Sequence, residues 1–107
     1  MLEPYPGTQV IYDNLGNCPD RYTEVRKVYP PNTTLIVNNP CTKIGFYALG
    51  EITKFVVESN YGWVDLGKFS NEVYTKEVVI KRNYGDGGIY LYNRMDRVEI
   101  QENMSKI

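Results

Sequence analysis

Apolar residues fall in short bursts along this chain, and the bursts are separated by proline, glycine, asparagine and aspartate. The segments "TQVIYD" (8–13), "NTTLIVNN" (32–39), "GEITKFVVES" (50–59), "GWVDL" (62–66), "EVYTKEVVIKR" (72–82), "GIYLYN" (88–93) and "RVEI" (97–100) are rich in β-branched and aromatic residues. Each reads as a strand. "SNYG" (59–62) reads as a tight turn between two of them, and "NYGDGG" (83–88) as a glycine-rich hairpin loop. "DRYTEVRKVY" (20–29) reads as a strand, or as one helical turn leading into a strand, because its apolar residues suit both periods. The tail "QENMSKI" (101–107) is expected to fray. No internal repeat, low-complexity tract or linker is read from the chain.

Alternation within the strands assigns faces. In "GIYLYN", Ile89 and Leu91 go to the core, and Tyr90 and Tyr92 to the opposite side. In "YGWVDL", Val64 and Leu66 are the core positions, and Tyr61, Trp63 and Asp65 share the other face. Strands this short and this closely spaced predict an all-β small barrel or sandwich, not a βαβ fold.

The chain has 107 residues, the size of a single domain, 1–107. An apolar fraction of 42% with a net charge of −1 argues against disorder. Twelve basic against thirteen acidic residues give no overall pull towards nucleic acid or an anionic membrane. The opening Met-Leu-Glu-Pro-Tyr-Pro has no basic and then apolar leader pattern, and the apolar runs are too short to span a bilayer. A cytoplasmic protein without a membrane partner is the expectation.

Little in the composition points to catalysis. Histidine, the usual general base at neutral pH, is absent. The two cysteines, Cys18 and Cys41, supply half a tetrahedral zinc shell, so no metal site and no cofactor are expected. Their pairing is left open. A disulfide would close a loop of about twenty residues, but without a leader reduced thiols are favoured. Asp65 and Asp86 read as a strand-borne and a turn carboxylate, and "YGDGG" lacks the Lys-Ser/Thr of a phosphate loop. No catalytic residue is assigned and the protein is not expected to be an enzyme.

The aromatic residues are more informative. Ten are tyrosine and one is tryptophan. Trp63 with Tyr61 and Asp65, an aromatic pair beside an acid, suits a cationic or proline-containing peptide. A second face, Tyr90 and Tyr92 near Lys81, Arg82, Arg94 and Arg97, combines stacking platforms with cations and suits single-stranded nucleic acid or a peptide.

Several of these stretches resemble a bacterial Src-homology-3-like domain. "LGNCPDRYTEV" (15–25) is similar to that family's proline loop, "RKVYPPNTTLIV" (26–37) to its strand–turn–strand, and "GWVDLGKF" (62–69) to its closing strand. The stretch from Asn38 to Gly50 and everything after Ser70 depart from the pattern. The resemblance implies a small Src-homology-3-like β-barrel over 8–69, extended by a C-terminal β-hairpin and closing strand over 70–101. It implies binding without catalysis, with Trp63 and Tyr22 near the groove. The expected function is therefore an interaction module that binds a protein or peptide through Trp63, Tyr61, Tyr22 and Asp65, of the kind found among phage or mobile-element accessory proteins. The alternatives are a structural subunit of a phage or other assembly, and a nucleic-acid-binding barrel using the second face.

Overall fold

The computed structural model describes residues 3–69 and 73–107. Met1 and Leu2 of the opening, and the residues 70–72 where the predicted 72–82 strand begins, lie outside the described residues. Seven strands form: β1 (Gln9–Asn14), β2 (Thr23–Asn39), β3 (Ile44–Asn60), β4 (Trp63–Leu66), β5 (Tyr74–Ile80), β6 (Gly88–Leu91) and β7 (Arg94–Ile100). All strand pairs are parallel. The chain winds as a β-solenoid of about four turns.

This overturns the barrel, and with it the C-terminal hairpin. A hairpin returns the chain antiparallel to its neighbour. Here "SNYG" and "NYGDGG" are corners that carry the chain from one side of the coil to the other. β4 therefore pairs with the first half of β3, Gly45 beside Trp63, and β6 pairs with β4, Trp63 beside Gly88. A strand–turn–strand pattern has the same local chemistry whether the second strand folds back or moves on to the next side. Only the pairing distinguishes the two, and it is set about twenty residues away.

Two sheets result. One contains 23–29 of β2, 44–50 of β3, β4 and β6, and the other contains β1, 33–39 of β2, 52–60 of β3, β5 and β7. β2 and β3 are long because each turns a corner without losing extended backbone. β2 bends where Asn32 takes a left-handed φ of 57°. β3 bends at Gly50, with φ 108°, where a Cβ would collide with the Tyr29 carbonyl of the turn above. The segment 20–29 settles as strand from Thr23.

Side chains stack in rows along the coil, because parallel register puts like positions above one another. Leu35, Phe55 and Val78 form one inward row, and Phe46, Val64 and Ile89 face them from the other sheet; all six are fully buried. At one corner the row is polar. Asn39 donates to Asn60 (3.1 Å), Asn60 to Asn83 (3.0 Å) and Asn83 to Asn103 (3.0 Å). This ladder spaces asparagines at 39, 60, 83 and 103, a repeat that the sequence reading missed. The tail is correspondingly ordered: Asn103 completes the ladder, and the Lys106 carbonyl accepts from Ile89 N–H at 2.9 Å.

Cys18 and Cys41 are disulfide-bonded, with Cα atoms 5.1 Å apart, contrary to the expected thiols. Parallel coiling brings them together: the connection from β1 to β2 lies directly above the corner from β2 to β3. On the outer side of the second sheet, Lys54, Glu77 and Arg97 stand in one row and pair along the axis, at 2.8 and 3.7 Å.

Candidate functional site

The outer side of the first sheet gathers the aromatic residues. Its outward positions alternate with the buried Phe46, Val64 and Ile89, so the register stacks Arg26, Tyr47, Asp65 and Tyr90 in one row. The adjacent row runs Glu24, Gly45, Trp63, Gly88. Trp63 has room because its neighbour is glycine: a Cβ at Gly45 would overlap both the indole and the Tyr22 hydroxyl. Tyr22 stacks on the indole with ring centres 4.5 Å apart. Trp63 is thus half-buried, its inner face against Gly45 and its edge towards a groove.

That groove, about 390 Å³, is lined by Trp63, Tyr47, Tyr90 and Tyr92, by Asp65 and Asp86, and by Lys68 and Lys106. Asp65 forms its floor and is 3% exposed. Among the described residues its carboxylate has no ion pair within 4 Å, and no side-chain oxygen is both fully buried and without a hydrogen-bond partner, so its oxygens open onto the groove. Burial pushes its pKa up to about 6, Glu24 adds to the rise, and Lys68 opposes it. Tyr47, 3% exposed, is likewise pushed up to about 12, chiefly by burial. Cations already sit on the aromatic rings at the groove's edge. The Arg26 guanidinium lies 4.1 Å over Phe69, and Lys68 lies 5.5 Å from the Tyr47 ring.

No family model, no curated protein and no solved structure matches the chain.

The sequence-predicted residues are redistributed. Trp63 and Asp65 line the groove, and Tyr90 and Tyr92, predicted for a separate face, line it with them. Tyr22 buttresses Trp63 from outside. Tyr61 lies round the corner, packed on Tyr84 at 5.3 Å, in a second hollow of about 450 Å³ that shares Trp63 with the first. The four cations assigned to the second face do not join Tyr90 and Tyr92. Lys81 follows the end of β5, Arg82 pairs with Glu102 (3.6 Å), Arg97 with Glu77, and Arg94 begins β7. The stacking platforms and those cations therefore lie on different sides of the coil.

Tyr47, Lys68 and Lys106 were missed. Tyr47 is seventeen residues before Val64 and enters the site only through the parallel register. No helix among the described residues is long and apolar enough to cross a membrane, and no group of three metal-ligating side chains is found among them.

Proposed function

We propose that this protein is a binding module whose groove takes a cationic side chain of a protein or peptide partner. One observation carries the reading: Asp65, in a residue only 3% exposed, presents its carboxylate to an aromatic groove and has no ion pair within 4 Å among the described residues. Drawing a charge partly out of water is costly, and its pKa rises in consequence. A cation that enters between Trp63, Tyr47 and Tyr90 meets aromatic faces and the Asp65 carboxylate. Arg26 and Lys68 on Phe69 and Tyr47 indicate that this surface accommodates cations over its rings.

The test uses pentalysine and the fluorescence of Trp63, the chain's single tryptophan. Binding should strengthen as pH rises through about 6, where Asp65 ionises. Asp65→Asn should weaken it by about tenfold or more and remove the pH dependence. The variant should remain folded. In the unfolded chain Asp65 ionises near 4, so between about 4 and 6 the folded state holds the extra proton and stability falls as pH rises. Asparagine removes that cost. Pentalysine binding that ignores Asp65→Asn, or that is matched by pentaglutamate, refutes the reading.

A further inference from the structure

The groove around Asp65 does not end at Trp63. The second hollow, about 450 Å³, adjoins it and shares Trp63, Asp86 and Gly87 with it. The asparagine ladder builds this hollow. Asn60 and Asn83 pair across the corner, so the residues that follow them, Tyr61 and Tyr84, come one above the other. Their ring centres lie 5.3 Å apart and their planes are tilted by 52°. The Tyr84 hydroxyl donates to Glu102 at 2.8 Å, which fixes one wall. Tyr61, 43% exposed, is the open one. Two glycines leave the space between the walls clear. A Cβ at Gly85 would collide with the Gly62 carbonyl, and one at Gly87 with Trp63.

Backbone donors at this corner are already taken. The Tyr61 N–H donates to the Asn39 carbonyl, and those of Tyr84 and Gly85 donate to the Asn60 carbonyl. A partner is therefore held here by its side chains and not by strand addition. What the hollow offers is ring faces and an acid. Asp86 is exposed and lies on the wall common to both hollows. Ring faces are negative and ring edges positive, so an incoming aromatic side chain can set its edge against the faces of Tyr61 and Trp63 and against the Asp86 carboxylate. An aliphatic side chain would cover the same carboxylate and give nothing in return.

We propose that the second hollow is a subsite for an aromatic side chain, and that the partner is a peptide segment in which an aromatic residue neighbours the cation held at Asp65. This rests on the cation reading of the groove and adds the residue beside the cation. Trp63 is the common wall, touched from both sides when both subsites are filled. The two acids, Asp65 in the groove and Asp86 between the hollows, match the positive charge of such a segment.

Three pentapeptides of equal charge test this. Each has a pair of lysines on both sides of a central phenylalanine, cyclohexylalanine or alanine, so that either neighbour can reach Asp65. None contains tryptophan, and Trp63, the chain's single one, reports binding by its fluorescence. The phenylalanine peptide should bind about tenfold more tightly than the alanine peptide. It should also bind more tightly than the cyclohexylalanine peptide, which has similar bulk but no π face. Tyr61→Ala should remove the preference and leave the affinity for the alanine peptide unchanged, because Tyr61 lines only the second hollow. Tyr61→Phe keeps the ring and should keep the preference. Asp65→Asn should weaken all three peptides. A phenylalanine peptide no tighter than the cyclohexylalanine one overturns the aromatic subsite, and so does a preference that survives Tyr61→Ala in a variant whose circular dichroism is that of the wild type. Either result leaves the cation reading standing where Asp65→Asn still weakens the alanine peptide. An alanine peptide indifferent to Asp65→Asn overturns both.

Discussion

Asn60 shows how much one side chain can carry in a coil. The two N–H groups of its amide are shared among the Asn83 oxygen (3.0 Å), the Gly62 carbonyl (3.1 Å) and the Gly88 carbonyl (3.3 Å), and its oxygen accepts from Asn39. It is fully buried, so no water stands ready to replace these partners. Truncation to alanine leaves the Asn83 oxygen and two backbone carbonyls without this donor, and costs Asn39 one acceptor. Each buried group left unsatisfied costs about 1–3 kcal/mol. Asn60→Ala should therefore lower the unfolding free energy by about 3 kcal/mol or more, read from urea denaturation. Asn103→Ala, at the exposed end of the same ladder, should cost well under half as much. Equal losses at the two positions would mean that the ladder is not what holds this corner.

Each turn of the coil is supported by the turn beside it, and the disulfide acts at that scale. Cys18 belongs to the connection between β1 and β2 and Cys41 to the one between β2 and β3, so the bond ties the head turn to the next. With a sequence separation of 23, removing the crosslink should cost about 3 kcal/mol through the freedom it returns to the unfolded chain. Paired urea titrations with and without reductant measure it, and a shift below about 1 kcal/mol would show the crosslink to be idle. Strand positions were legible because burial depends on local pattern: Val64, Leu66 and Ile89 are core, and Tyr90 and Tyr92 face outward, as alternation predicts. What was not legible is partnership. Cys18 meets Cys41, Tyr47 meets Asp65, and Asn39 meets Asn60 only because successive turns repeat at roughly twenty residues, with intervals that vary from 18 for Gly45 and Trp63 to 25 for Trp63 and Gly88. Unequal corners hide such a period from inspection. The spacing of asparagines, at 39, 60, 83 and 103, was the one signal that could have exposed it.

Across the whole molecule, stability should follow position along the axis. In a stack each turn contacts only its neighbours, so the free energy is close to a sum of turn and interface contributions, and the ends open most readily. β3 is bordered on both edges in both sheets, by β2 and by β4 or β5, whereas β1 and β7 each have one neighbour. Amide hydrogen exchange should therefore be slowest at Phe46–Ala48 and Lys54–Val57, and should quicken towards both ends. The crosslink should separate the two ends. Reducing the disulfide should speed exchange in β1 and the first half of β2 and leave β7 unchanged, because the crosslink spans only the head. A barrel closed by hydrogen bonds has no ends and would show no such gradient. Uniform protection along the chain would thus contradict the nearest-neighbour reading of this coil, and a β7 that quickens on reduction as much as β1 does would show that the effect of the crosslink is not confined to the head.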